Sequence, residues 1–366
     1  MLFGSSFKNY INVLVKYGGV SPRYLPRLFI VSLGVISLAP HAIFEKLFYA
    51  KKIREKNFSS EPIFILGHWR SGTTALHNLL CKDPNMGYIS LLESIAPWNF
   101  LARKKRLKTL DWVISRIFPT RPQDNVNMSM NLPAEEGIAM ANMCPLSFYH
   151  CLYFPQKMQD TFNSTVLLEG QDDQVREAWK KQFLYLIKKL SIANNGKRLV
   201  FKDPANTARI KVLLELFPNA KFINIYRNPY DVFTSTKHMY KRVLPILAFQ
   251  DYSEVAIEEN ILNFYKKVMR SYFAERQYIP DGNLVEIRFE EFERNPLGCM
   301  DIIYHELGIP GWEVARKYFE EEVSSYSEYK KNVLVHTKSL VKKVNEHWGF
   351  VIDALHYSEP ENVTED

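Results

Sequence analysis

Cysteine is scarce and unpatterned in this chain. Cys81, Cys144, Cys151 and Cys299 are the only four in 366 residues, with no C-x-x-C and no metal-ligand spacing. That excludes a disulfide scaffold and a zinc site, and the four read as reduced thiols of a cytoplasmic protein. Met1 to Tyr10 lack the charged and apolar order of a secretory leader, so no cleavable signal is expected. Charge of one sign is also in short supply: 47 basic against 40 acidic residues leave a net +7. So modest a surplus suits an anionic ligand or a membrane surface, and without an arginine–aromatic block it argues against nucleic acid. The cluster Arg103-Lys104-Lys105-Arg106 reads as a solvated face. Repeats and low-complexity tracts are absent, and Ser358 to Asp366 reads as an acidic tail. Long apolar runs are missing with one borderline case, Leu28 to Phe44, which holds no Asp, Glu, Lys or Arg. Pro40 and His41 interrupt it, while Arg23, Arg27, Lys46, Lys51, Lys52 and Arg54 flank it. A pair of helices, lying on the core or partly on a membrane surface, fits this pattern better than a span. Residues 1–56 are therefore the expected region of any peripheral membrane contact.

What is present begins at Pro62. Ile63-Phe64-Ile65-Leu66 is an apolar run suited to a strand buried on both faces. A polar turn with Gly67 and Gly72 follows, then Leu76, Leu79 and Leu80 at helical spacing. Strand, glycine-containing turn and helix aim backbone N–H groups and the positive end of a helix at one point, which binds phosphate or a similar anion. Gly67 to Gly72 has the spacing of a nucleoside-triphosphatase P-loop, but Thr73 stands where that loop has lysine. A nucleotide kinase would need that lysine; here the cation, Arg70, lies inside the loop.

Further strands are expected at Arg198–Lys202, Lys221–Arg227 and Leu284–Arg288, separated by helical patterns at 172–190, 210–216 and after Asn228-Pro229. Alternation of this kind predicts an α/β fold with a doubly wound parallel sheet. Residues 61–366 would form it, with residues 1–60 as an N-terminal helical extension serving as a lid or a membrane-surface contact. Residues 87–150 read as a long excursion over the carboxyl ends of the strands, where ligands bind in such sheets.

Arg70-Ser71-Gly72-Thr73-Thr74 resembles the 5′-phosphosulfate loop of sulfotransferases, a basic residue followed by Ser-Gly-Thr-Thr. The second signature of that family, an arginine at a strand end with a serine eight residues later, is matched by Arg227 and Ser235. Gly67-His68, Leu76–Leu80 and Leu132–Glu136 resemble the bacterial members, and Lys202-Asp203-Pro204 with Leu216–Phe222 the tyrosylprotein enzymes. Pro204 stands where the cytosolic small-molecule enzymes have their histidine, so that residue is not carried over.

The resemblance implies a P-loop-like phosphosulfate loop, helices on both sheet faces, 3′-phosphoadenosine 5′-phosphosulfate as donor and no metal. It implies that Arg70, Ser71, Gly72, Thr73 and Thr74 hold the 5′-phosphosulfate and that Arg227 and Ser235 hold the 3′-phosphate. Lys202 and Arg70 would stabilise charge at the transferring group, and Glu93 would be the general base. Glu135, Glu136 and His150 compete for that last role. A small lipophilic alcohol (sterol, quinone-derived or lipid) is the expected acceptor, from the Leu28–Phe44 segment and an apolar lining at Trp98, Phe100, Met128, Met130, Met140, Met143 and Phe148. The same residues can be ordinary core under a long loop. Rival readings are a protein tyrosine acceptor, the nucleotide kinase, and a membrane-surface binding protein on a relic nucleotide fold.

Overall fold

The structure is a computed structural model that describes residues 2–58, 60–103, 129–325, 335–361 and 363–365. Lys104, Lys105, Arg106 and Met128 lie outside the described residues. The chain divides into two compact units. The first comprises residues 1–60, 87–201 and 242–252, the second residues 61–86, 202–241 and 253–366.

The second unit is built on parallel strands. β1 (Ile63–Leu66) is wholly buried, as a continuous apolar run requires. Of β2 (Met86–Gly87) and β3 (Arg198–Lys202) only Met86 and Lys202 belong to this unit, whereas β4 (Lys221–Tyr226) and β5 (Leu284–Arg288) lie wholly in it. β4 lies between β1 and β5 and is parallel to both, with Phe64 opposite Phe222 and Ile223 opposite Val285. The α/β class and the parallel sheet are those expected from the alternation of patterns. The three sequence-marked strands stand within one residue of their expected ends, because each is bounded by a polar or proline-containing turn. Phe64 and Phe222 face each other with ring centroids 5.8 Å apart. Tyr265 stacks on Trp348 at 3.9 Å, and the indole N–H of Trp348 donates to the Leu262 carbonyl at 2.8 Å.

The first unit is helical. Its amino-terminal pair is α1 (Phe7–Tyr17) and α2 (Leu25–Arg54). Ser6 caps α1 by accepting from the Asn9 N–H, and Gly18 ends it at φ 52°, a conformation that glycine adopts without a Cβ penalty. The expectation of two helices broken at Pro40 is corrected: α2 runs uninterrupted through it for 30 residues. Proline forfeits one intrahelical hydrogen bond. Buried side chains on both sides of it, Val31, Val35, Glu45 and Ile53, hold both halves of the helix against the unit. The helix expected at 172–190 is Asp173–Ala193, capped by the Asp172 carboxylate, which accepts from the Val175 N–H at 2.7 Å.

Lys189 of that helix is fully buried and forms an ion pair with Glu45 of α2. Its ammonium also donates to the Pro97 carbonyl and lies 4.2 Å from the Phe100 ring centroid. Glu45 in turn accepts from the Leu101 and Ala102 N–H groups at 2.7 and 3.1 Å, capping the start of Phe100–Arg103. Burial pushes the Lys189 pKa down, and the Glu45 charge opposes that shift.

Candidate active site

Between β1 and the helix α3 (Thr73–Leu80) the chain makes a tight turn through two glycines of positive φ. Gly67 has φ 137°, and a Cβ there would fall 2.3 Å from the Ile225 carbonyl oxygen of β4. Gly72, at φ 94°, would place a Cβ 2.2 Å from the Phe289 ring. Neither contact leaves room for a side chain, so both glycines are dictated by close approach as well as by φ. Arg70 lies between them at φ 72°, a left-handed conformation that costs a non-glycine residue about 1–3 kcal/mol. The Ser71 N–H donates back to the His68 carbonyl at 3.1 Å, closing the turn, and the Gly67 N–H donates to Thr207 Oγ1 at 2.8 Å. Thr73 and Thr74 open α3, whose first N–H groups point towards the loop. Ser71 and Thr73 are buried.

Arg70 does not extend away from the strands. Its Nε donates to Ser235 Oγ at 2.9 Å, across 165 positions of sequence. Arg227, at the end of β4, brings one guanidinium nitrogen to 3.5 Å from the Arg70 carbonyl and another to 3.1 Å from Asp231. Its guanidinium lies over the Phe289 ring at 4.8 Å. Arg227 Nε is buried and has no hydrogen-bond partner among the described residues. Lys202, buried at the end of β3, reaches Thr74 Oγ1 at 3.4 Å. Loop, β3 end, β4 end and the helix Pro229–Leu247 therefore gather Arg70, Thr73, Thr74, Lys202, Arg227 and Ser235 within the second unit.

Three participants carried no signal that motif spacing could find. Thr207 orders Gly67, Phe289 packs under Gly72 and Arg227, and His336 holds Asp231. Asp231 does sit four residues after Arg227, a helical pair that could have been read from the chain. His336 Nε2 lies 3.1 Å from the Asp231 carboxylate and Nδ1 lies 3.3 Å from Thr234 Oγ1. Burial would raise the Asp231 pKa, but the His336 hydrogen bond and the Arg227 charge outweigh it and hold the carboxyl below its ordinary range.

The candidate bases belong to the first unit. Glu93 forms a capping box at the start of Leu91–Ile95: its Oε2 accepts from the Ser90 N–H and from the Ser90 hydroxyl, both at 2.8 Å. Glu135 precedes the helix Glu136–Met143, and Glu136 is buried at its start. His150 is in the core, its ring 5.2 Å from that of Tyr17 and its Nε2 3.2 Å from the Cys144 carbonyl; burial lowers its pKa to about 4. Phe100, Met130, Met140, Met143 and Phe148 are buried, and Trp98 donates its indole N–H to the Asn142 carbonyl at 2.9 Å.

Comparison with known proteins shows what the chain is similar to. Over 315 residues, 86% of this chain and 80% of the relative, it is 29% identical to the omega-hydroxy-beta-dihydromenaquinone-9 sulfotransferase Stf3 of Mycobacterium bovis. Its fold is similar to the crystal structure of sulfotransferase STF9 from Mycobacterium avium, with a TM-score of 0.75 at 14% identity over 94% of this chain and 88% of that one. Sulfotransferase STF1 from Mycobacterium tuberculosis H37Rv gives 0.69 at 14% identity, over 92% and 89% of the two chains. The family model matches residues 62–314, from β1 past both charged motifs, and the chain belongs to the sulfotransferase family.

Proposed function

We propose that this sulfotransferase takes its sulfuryl group from 3′-phosphoadenosine 5′-phosphosulfate and transfers it to the hydroxyl of a small lipophilic alcohol. The observation that carries the donor reading is the Arg70–Ser235 hydrogen bond, which joins the two charged motifs into one cradle. Two guanidinium groups, an ammonium, three hydroxyls and a helix amino terminus suit a ligand with phosphate at both ends. The unpartnered Arg227 Nε is a donor held in reserve for such an anion. No metal is part of this reading. The donor supplies an activated sulfuryl group; Arg70 and Lys202 hold positive charge where negative charge grows, and Thr73 and Thr74 contribute hydroxyl and backbone donors.

Glu93 is the residue we assign as base, receiving the acceptor hydroxyl's proton. Its capping box supports the assignment to the extent that it fixes the carboxylate in one orientation. The lipophilic acceptor is supported by the menaquinone-derived alcohol in the name of the relative Stf3. We infer a cytoplasmic reaction, supported by the unbridged state of Cys81, Cys144, Cys151 and Cys299. Supplying the donor with a panel of alcohols and an acidic tyrosine peptide, and reading products by mass spectrometry, tests the reading. A lipophilic alcohol gaining one sulfuryl group supports it; sulfation of the peptide alone overturns the acceptor class.

A further inference from the structure

The inner face of α2 is fixed to the first unit, and the outer face is bare. Phe29, Ile30, Ile36, Ile43, Leu47 and Phe48 lie on that outer face, each 60–73% exposed. From Phe29 to Phe48 the stripe is roughly 28 Å long at the rise of an α-helix. α1 packs beside it, with a hydrogen bond of 2.8 Å between the Tyr10 hydroxyl and Ser32. It adds Phe7, Ile11 and Val15 at four-residue spacing, all exposed. A patch of this kind exceeds the scattered apolar exposure of ordinary soluble surfaces.

Charge identifies what covers it. Residues 1–58 hold nine Lys and Arg against Glu45 and Glu55, a surplus of seven that equals the surplus of the whole chain. Glu45 is buried against Lys189, so Glu55 is the one carboxylate of this segment that faces water. Lys8 and Lys16 on α1, and Lys51, Lys52 and Arg54 at the end of α2, are exposed. A second copy of this chain would bring the same positive segment against itself. An anionic lipid surface satisfies both the apolar stripe and its basic flanks.

We propose that the outer face of α1 and α2 docks flat on an anionic lipid bilayer without crossing it. α2 is long and apolar enough to span a membrane by length and composition. Its inner face forbids that: withdrawing the helix would strip Glu45 from Lys189 and from the Leu101 and Ala102 N–H groups, leaving a buried charge unpaired. One side of the helix therefore stays on protein while the other enters the headgroup boundary. On the acceptor reading above, docking also places the enzyme where a lipophilic alcohol is dissolved. The docking itself does not depend on that reading.

Flotation of the full chain with phosphatidylcholine vesicles, with and without phosphatidylglycerol, tests the proposal. The chain should float with the anionic vesicles and lose that binding as salt is added. The triple variant Lys51→Gln/Lys52→Gln/Arg54→Gln should weaken binding to anionic vesicles on the order of 100-fold, about fivefold per charge. Ile36→Glu/Leu47→Glu should abolish it with an unchanged circular dichroism spectrum and melting temperature, since both side chains are exposed. Val255→Glu, equally exposed but in the second unit, should change nothing. Absence of flotation with anionic vesicles overturns the proposal. So does a face variant that turns a dimer into a monomer without altering flotation, or membrane attachment that resists alkaline carbonate. Sulfation of a short water-soluble alcohol, measured in parallel, separates failed docking from a failed transferase reading.

Discussion

At the residue scale the proposed donor cradle rests on a few charged donors already ordered by each other. Arg227 is held by Asp231, which is held by His336, so the guanidinium is oriented before any ligand arrives. Arg227→Ala should weaken binding of adenosine 3′,5′-bisphosphate by roughly 10–100-fold, the worth of a charge-assisted contact of about 1.5–3 kcal/mol. Preference over the analogue lacking the 3′-phosphate should vanish with it, and unchanged selectivity by calorimetry would remove Arg227 from that role. Glu93→Gln gives a clean test of the base, because glutamine can still accept in the capping box and keep the Leu91–Ile95 helix start. Turnover should fall by on the order of 10²–10⁴ with donor binding intact. Near-normal turnover in this variant, combined with its loss in Glu135→Gln or His150→Ala, would move the base elsewhere.

At the element scale, local chemistry made β1, β3, β4 and β5 legible: apolar runs closed by Lys202-Asp203-Pro204, Pro218-Asn219 and Asn228-Pro229 can be little else. The loop was legible for a similar reason, since Gly67 and Gly72 mark the two places where a Cβ cannot fit. Contacts distant in sequence were not. Nothing near Thr207 or Phe289 indicates that they brace the loop, and nothing near Lys189 announces a buried ion pair with Glu45. Lys189 sits in a helical pattern where an exposed lysine is the ordinary reading. Pro40 misled for a physical reason: side-chain burial on both flanks of α2 outweighs one lost backbone hydrogen bond. Glu45→Gln or Lys189→Met should each lower stability by about 3–5 kcal/mol, because either leaves its partner buried and unpaired. The double change Glu45→Gln/Lys189→Met, in which glutamine can still accept from the Leu101 and Ala102 N–H groups, should cost less in urea unfolding than the two single losses added together. A loss in the double variant equal to the sum of the two single losses would show that the pair is not coupled.

For the molecule as a whole, acid sensitivity follows from two of the buried imidazoles, His68 and His150, one in each compact unit. Burial lowers His68 to about 3 and His150 to about 4, below the usual value of about 6.5. Between those values the unfolded chain binds more protons than the folded one, so stability is full above about pH 6.5 and falls as pH drops. Going from pH 7 to pH 5 should cost about 2 kcal/mol per histidine, read as a lower urea midpoint. The double variant His68→Gln/His150→Gln should flatten that dependence; an unchanged slope would mean the loss arises from other groups. One proposed donor cradle, closed between Arg70 and Ser235, would drive sulfuryl transfer to a lipophilic alcohol. Its most direct test is mass spectrometry of a long-chain or quinone-derived alcohol incubated with the enzyme and 3′-phosphoadenosine 5′-phosphosulfate. The expected products are the alcohol carrying one added sulfuryl group and equimolar adenosine 3′,5′-bisphosphate, both lost in Arg70→Ala. Product formation that survives Arg70→Ala, or donor turnover with no sulfated alcohol in the panel, would contradict the proposal.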